Sequence, residues 1–516
     1  MEAFRVSKTL RQKLKKRNNK IAKRLRNRAK QQQENPQLSA SNIHYDMAER
    51  TQGFAYGGIG AIHQLAKQSG LVQDLNDGLA LLKRHLPYFE SDHVLNIAYN
   101  ILCNGQCIED IERLRNDEVY LNALGAETIP DPTTAGDFCR RFTEQDVQAL
   151  MNIINDVRVR IWQKQPDAFF EQAIIDADGT IAPTYGECKE GMDISYKGIW
   201  GYHPLLISLA NTGEALYLVN RSGNAGSSVG AAGYFDRAIE LCLLAGFRNI
   251  LLRGDTDFSQ TEHLDRWDGR GAKFVFGIDA MPNLKAIAEG LSESDWKPFI
   301  RPAKYDVRTK PRKRPKNIKE PIVVEREFKN IRLHSEQVAE FSYRPTKCKK
   351  SYRMVVIRKN LSIEKGENVL FDEIRYFFYI TNLRTCPASE IVRHANRRCN
   401  QENIIEQLKN GVHSMRMPVD NLVSNWAYMV MASLAWTLKV WFALSLPESG
   451  RWSTKHKTEK QAVLKMEFKK FRQNFIHISC QIIRGGHRIL YRLLSWNPWL
   501  DVFFRGLNAL SIPLRC

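Results

Sequence analysis

The chain has 516 residues, 76 of them Lys or Arg and 56 Asp or Glu, for a formal charge of +20, and 43% of it is hydrophobic. That apolar content excludes a disordered tail or a fibre, and the length allows roughly two to four domains. The charge bears on partners rather than fold, and nucleic acid is the first polyanion it matches.

Ten cysteines are too sparse for a disulfide scaffold, and no CxxC recurs at zinc spacing; Cys103 and Cys107 lie in an apolar stretch that packs rather than ligates. The basic N-terminus has no secretory apolar run behind it, so a cytoplasmic, nucleoid-associated setting is expected. The apolar run Trp426 to Leu446 approaches bilayer length, but it holds Lys439 and opens beside Asn425. It is expected to be a core helix, with no membrane partner.

Residues 1–36 form a basic arm that includes Arg11, Lys15, Lys16 and Arg17, with Glu2 the only acid up to Gln33. Like charges should keep it extended or only nascently helical when free, and a phosphate backbone would neutralise it. Residues 37–165 read as a helical domain that binds DNA ends, from the three- and four-residue spacing of apolar positions such as Val94 to Leu102. Within it, Asp131-Pro-Thr-Thr opens a helix whose N-terminus, with Thr133 and Thr134, either takes a phosphate or is simply capped.

From 166 to 266 the pattern alternates strand and helix. Ala173-Ile-Ile-Asp-Ala-Asp178 is a strand ending in carboxylates; Leu205–Leu209 and Ala215–Val219 flank a hairpin turn; a helix over 232–245 stops at Gly246; and Asn249–Arg253 is a strand leading to Asp255. This order opens a ribonuclease-H-like sheet. Residues 267–386 read as a β-rich insertion carrying the proline-punctuated basic run with Arg312, Lys313 and Arg314. A core helix capped by Ser389 is expected over 387–412, and a helical region over 413–516. The fold class is therefore α/β: a ribonuclease-H-like catalytic core interrupted by a β-rich insertion, with helical N-terminal DNA-binding and C-terminal regions.

Three segments put carboxylates where such a fold builds its site: Asp176-Ala-Asp178, Arg253-Gly-Asp-Thr-Asp257 and Arg398-Cys-Asn-Gln-Glu402. Close carboxylates repel unless a cation sits among them, and paired divalent ions acting on phosphodiesters need such oxygen ligands. Asp176 and Asp178 share a strand face, so either could reach metal. Asp257 is expected to cap the next helix. Arg398, Glu402, Glu406 and Lys409 fall on one helical stripe, which by itself could be an ordinary salt-bridge ladder.

Taken in order, these segments resemble the DDE transposases of bacterial insertion sequences, in the branch named for insertion sequence thirteen-eighty, related to the insertion sequence four group. Asp178-Gly-Thr180 matches the first motif. Arg253, Asp255 and Phe258 match the second, with Thr256 and Asp257 in place of Ser and Gly; Arg398, Glu402 and Lys409 match the third, with Ala395 where the family has Tyr. Asp92-His93, Leu114 to Asp117, Tyr196-Lys197, Tyr202-His-Pro204 and Trp496-Asn-Pro498 look like further landmarks, extending the resemblance from about Gly57 onward.

The resemblance implies that Asp178, Asp255 and Glu402 are catalytic and hold two Mg²⁺, with Mn²⁺ able to substitute. Arg398 and Lys409 would grip phosphates near the scissile bond. It further implies cleavage and strand transfer on double-stranded DNA, at terminal inverted repeats and target, by a homodimer. An aromatic that stacks on a flipped base has candidates in Trp200, Trp267 and Trp296. The alternative is a DNA-binding protein of the same fold that is inactive or only hydrolyses.

Overall fold

The computed structural model describes residues 8–28, 53–85, 87–186, 189–301, 321, 329–365, 368–485 and 488–510. Arg312, Lys313 and Arg314 lie outside the described residues.

The centre is one mixed sheet with strands β1 (Ala173–Gly179), β2 (Leu205–Leu209), β3 (Glu214–Val219), β4 (Ile250–Gly254), β5 (Lys273–Ile278), β6 (Lys297–Pro298), β7 (Lys329–Tyr343), β8 (Tyr352–Lys365) and β9 (Asn368–Thr381). Their spatial order is β6-β7-β8-β9-β5-β4-β1-β2-β3. β1 runs antiparallel to β2 and parallel to β4, β2 is antiparallel to β3, and β4 is parallel to β5. The five-strand part β3-β2-β1-β4-β5 is a ribonuclease-H strand order. β5, which the sequence reading placed inside the insertion, belongs to this part. β9 continues the sheet by pairing Phe378 with Ile278 and Thr381 with Val275, so the β-rich segment is an extension of the same sheet. That continuity depends on pairing between strands about a hundred residues apart, which local pattern does not reveal.

The helices that place the site are α1 (Lys8–Arg28), α2 (Glu90–Leu102), α3 (Pro132–Arg140), α4 (Glu144–Trp162), α5 (Ala231–Ala245), α6 (Ala388–Asn396), α7 (Cys399–Glu406) and α8 (Leu422–Leu444). Alternation along the strands sends apolar side chains to both sheet faces. Ile250, Leu252, Phe274 and Phe276 join the main core with Phe235 and Ile239 of α5; Leu251 and Val275 point the other way, onto Ile391 and Val392 of α6.

α8 is long and apolar enough to cross a membrane, yet its apolar window is wholly buried in the protein. It packs on α2, α4 and β3. Its indoles donate hydrogen bonds to the β2–β3 hairpin: Trp426 to the Leu218 carbonyl at 2.6 Å, Trp436 to the Gly213 carbonyl at 2.7 Å and Trp441 to Glu214 at 3.0 Å. Lys439 donates to the Leu464 carbonyl at 2.6 Å. Buried Glu214 also accepts from Arg158 at 3.0 Å and Trp162 at 2.8 Å, so its charge is paired where an unpaired one would cost several kcal/mol.

Two elements depart from expectation, and a third closes a choice the sequence left open. The described part of the arm is a 21-residue helix, α1, with no acid in its first turn. Its repulsion is offset by docking, since Leu14 is buried and the Arg17 guanidinium donates to the Leu494 carbonyl at 2.9 Å. The region beyond 413 is not all helix: Cys480–Gly485 and Arg488–Leu493 form a hairpin that takes Gly53–Phe54 as a third strand. Finally, α3 is capped by Asp131, whose carboxylate accepts from the Thr134 amide at 2.9 Å and its hydroxyl at 2.8 Å. Those donors are spent, and the capping reading of that segment holds.

Candidate active site

The parallel register of β1 and β4 sets Asp176 against Arg253. Both are buried, and they form a two-pronged ion pair with each nitrogen 2.7 Å from its oxygen. A further guanidinium nitrogen of Arg253 donates to the His394 carbonyl of α6 at 3.0 Å, tying two strands to a helix. Asp176 is thus committed to structure. Two residues past that last pair, Asp178 near the end of β1 and Asp255 just after β4 come close enough for Asp178 to feel the charge of Asp255.

Arg398, at the junction of α6 and α7, reaches between them. One guanidinium nitrogen lies 3.1 Å from Asp178 and another 3.6 Å from Asp255. Burial is the main cause that lifts the Asp178 carboxyl to about 6; Arg398 opposes the rise and Asp255 adds to it. Asp255 is raised by the same causes, burial first, with Arg398 opposing and Asp257 contributing. Two carboxylates that resist ionisation and share one cation form a place built for positive charge.

The structure separates the carboxylates within each motif. Asp255 itself caps the short turn Thr256–Phe258, its Oδ1 accepting from the Asp257 amide at 3.1 Å. The cap expected of Asp257 therefore belongs to Asp255. Directly before it, Gly254 lets the backbone pass Phe258: a Cβ there would lie 2.5 Å from the Phe258 Cβ.

The helix expected over 387–412 is broken. Pro387 rather than Ser389 caps α6, the chain turns at Arg397 and Arg398, α7 runs to Glu406, and a π-helical turn follows over Gln407–Gly411. From that junction Arg398 reaches the aspartates, and the wide turn carries Lys409, whose ammonium donates to the Ile181 carbonyl at 2.6 Å. Lys409 is held low by burial and lies near enough to Lys197 and Asp178 to feel both charges. Gln401 anchors α7 to β2 through the Leu206 carbonyl at 3.3 Å; Leu206 is the register partner of Asp178.

Glu402 is on α7, one turn beyond Arg398, and exposed. The structure brings Asp178, Asp255 and Arg398 together and leaves Glu402 outside their contacts; among the described residues no group of three or more acids, His or Cys stands ready to hold a metal ion. The two aspartates do fit such an ion by their chemistry: they are oxygen donors, partly desolvated, already bridged by a cation. Glu406 accepts from Asn410 at 2.8 Å, an interaction local to its own turn.

Arg11, Lys15, Lys16 and Arg17 are exposed on α1. Of the three tryptophans, Trp267 is buried with its indole on Asp236 at 2.9 Å, Trp296 is buried beneath Arg358, and only Trp200 is exposed. His203, seen in the sequence only as a landmark, proves to be part of the site wall. A Cβ on Gly179 would lie 2.9 Å from its Nε2, and its Nδ1 is 2.6 Å from the Ala225 carbonyl. A histidine after a Gly-Tyr pair carries no signal of that placement.

The family model described as Transposase DDE domain group 1 matches residues 54–512. Among curated proteins nothing matches. Among solved structures, the chain is similar to a piggyBac transposase in a synaptic complex with hairpin DNA, at 9% identity and a TM-score of 0.37, over 82% of this chain and 79% of that one.

Proposed function

The chain belongs to the DDE transposase family, group 1, which its family model matches from residue 54 to residue 512, and on that premise we propose that it cleaves DNA at the ends of a mobile element and joins them to a target. We place it in the insertion sequence thirteen-eighty branch, on the motifs around Asp178, Asp255 and Glu402. It would act as a homodimer on terminal inverted repeats, in the compartment that holds the DNA. The observation that carries the reading is that Asp178 and Asp255, at the ends of neighbouring strands, share Arg398.

Asp178 and Asp255, joined by Glu402 from α7, would hold Mg²⁺, or Mn²⁺ in its place, and bound there the ions would polarise the attacking and leaving oxygens of a phosphodiester. Arg398 then has a second partner available, because a phosphate oxygen pair suits a guanidinium as well as two carboxylates do. Lys409 adds a point charge beside it. In the first step a water oxygen bonds to phosphorus as the bond to the 3′ oxygen breaks; the water loses a proton and the departing oxygen gains one, leaving a 3′-hydroxyl and a 5′-phosphate. In the second step that hydroxyl attacks a target phosphodiester, losing its proton as another 3′ oxygen leaves with one. In the metal-free site burial lifts the Asp178 carboxyl to about 6, so it is mostly ionised, and ready to take up a cation, only at pH values above that.

Because Glu402 stands outside the aspartate pair, a protein of this fold that only hydrolyses or only binds is the reading to be separated. A supercoiled plasmid with Mg²⁺ or Mn²⁺ and a fragment carrying the DNA that flanks this gene does so: joined products support transposition, cut products alone support hydrolysis, and retardation without cutting supports binding. Asp178→Asn is expected to abolish cutting and spare binding; normal cutting by that variant contradicts the assignment.

A further inference from the structure

We propose that His203 is the proton acceptor of the hydrolytic step, taking a proton from the attacking water on its Nε2. The inference rests on the functional reading above and supplies what that reading leaves unassigned, the group to which the water's proton goes. The residue belongs to the Tyr202-His-Pro204 segment, which stands out in the sequence but has so far had no chemical part.

The fold fixes the ring. The His203 amide donates to the Arg221 carbonyl at 2.9 Å, and the Arg221 guanidinium donates back to the His203 carbonyl at 2.8 Å. Three more bonds from Arg221, to the carbonyls of Gly226 at 3.2 Å, Ser227 at 2.9 Å and Val229 at 2.8 Å, hold the loop that meets the imidazole. From this loop the Ala225 carbonyl lies 2.6 Å from Nδ1. A carbonyl only accepts, so Nδ1 carries the hydrogen, and in the neutral ring Nε2 is left with a bare lone pair.

That lone pair faces the site. Leu205 pairs with Gly179 across β1 and β2, and a Cβ on Gly179 would lie 2.9 Å from Nε2, so a larger residue after Asp178 would push the ring away. The residue is buried, yet Nε2 has no hydrogen-bond partner among the described residues and is not one of the side-chain atoms sealed in without one, so it meets solvent. Burial is the main cause that holds the imidazole below the ordinary histidine value; the Ala225 carbonyl and Asp257 favour the charged ring, while Arg221 and Lys409 oppose it. The ring is therefore neutral at neutral pH. Asp257, which caps no turn, gains a task from this arrangement: its charge favours the imidazolium that forms when Nε2 takes up a proton.

A neutral ring with a bare nitrogen cannot protonate a leaving group, but it can relieve an attacking water of its proton. As the water oxygen bonds to phosphorus, its O–H electron pair stays on oxygen and the proton passes to Nε2. The bond from phosphorus to the 3′ oxygen breaks with its pair on that oxygen, which takes a proton from solvent. The imidazolium then returns its own proton to bulk water, and the ring is ready again.

The test uses the full chain. In metal-free protein carrying isotope-labelled histidine, NMR of the ring nitrogens at neutral pH should find His203, identified by its loss in His203→Asn, with Nδ1 protonated and Nε2 bare. The opposite tautomer, or a charged ring, overturns the proposal. His203→Asn keeps an N–H for the Ala225 carbonyl but has no basic nitrogen. Its cutting of a fragment carrying the flanking DNA should fall by roughly 100-fold or more, the usual worth of a positioned base, with bound Mn²⁺ and DNA affinity unchanged. Normal cutting refutes the assignment, and so does a loss of Mn²⁺ binding, which would make His203 a prop for the metal site. A fragment with sulfur in place of the departing 3′ oxygen separates the two ends of the reaction, because a thiolate leaves without a proton. The variant should be as impaired on it as on ordinary DNA; restored cutting would move His203 to the leaving group and end its role toward water. Wild-type protein that never cuts sinks the functional reading and this inference with it, whereas cutting that needs Asp178 but not His203 sinks the inference alone.

Discussion

Replacing Asp178 with Asn should abolish cleavage and yet stabilise the metal-free fold at neutral pH. Burial, reinforced by Asp255 and only partly countered by Arg398, lifts the Asp178 carboxyl from 3.8 to about 6. Such a group adds to stability fully below its unfolded value, and the contribution is lost as pH climbs through the folded one. Above that point the ionised aspartate carries a deficit on the order of 3 kcal/mol, at about 1.4 kcal/mol for each pH unit between the unfolded and folded values. Asparagine carries no charge and nearly the same shape. Its side-chain oxygen can still accept from Arg398, which is 3.1 Å from the carboxylate and whose opposition the value of about 6 already contains, so the expected gain is on the order of 2–3 kcal/mol. The assay is urea unfolding of both proteins in chelator, below about pH 4 and near pH 8. The variant should be the more stable at the higher pH, with the gap closing at the lower. A variant less stable near neutrality, or a gap indifferent to pH, refutes the idea that the site is strained for cation binding.

Other consequences concern the scaffold and the DNA contacts. Asp176→Ala strands Arg253 in the core and should cost about 3–5 kcal/mol in urea unfolding, while removing both partners together as Asp176→Leu with Arg253→Met should cost less than either single change. An additive double variant would mean the pair does not act as a unit. Arg398→Gln removes the charge that holds Asp178 down, so in chelator the variant's stability should keep falling with pH to a higher pH than in wild type; an unmoved profile contradicts the bridging role. Deleting residues 1–36 should weaken DNA binding and flatten its salt dependence by roughly 0.9 in log–log slope for each phosphate the arm no longer neutralises. An unchanged slope would leave α1 with a structural role, docked through Leu14 and Arg17.

How much of this was legible in the sequence follows from the range of the interactions. Ile174-Ile175 and Leu251-Leu252 announce strands, and the carboxylates after them announce their ends, because both signals are local. The pairing of Asp176 with Arg253 was not legible: it depends on the register of two strands that meet only in the fold. The same limit hid β5 as the fifth core strand and the hairpin over 480–493, each stabilised by partners far along the chain. The uninterrupted helix expected over 387–412 failed for a different reason. Arg398 gains more from two aspartates across the site than from a place in a helical ladder, and a periodic pattern carries no record of that competition. For α1, charge counting alone predicted an arm extended or only nascently helical when free, whereas buried Leu14, partly buried Leu10 and the bonds of Arg17 to two backbone carbonyls dock the helix on the protein. Exposure was also out of reach: Trp200, Trp267 and Trp296 read alike as letters, and only the first faces solvent.

The central claim is that Glu402 joins Asp178 and Asp255 around a divalent ion although its side chain lies outside their contacts in the free protein. Counting bound Mn²⁺ by electron paramagnetic resonance, with duplex DNA present, tests it most directly in wild type, Asp178→Asn, Asp255→Asn and Glu402→Gln. Weaker binding in all three variants is the predicted result. Full wild-type occupancy in Glu402→Gln would contradict it, leaving a two-carboxylate site and a glutamate with no part in it.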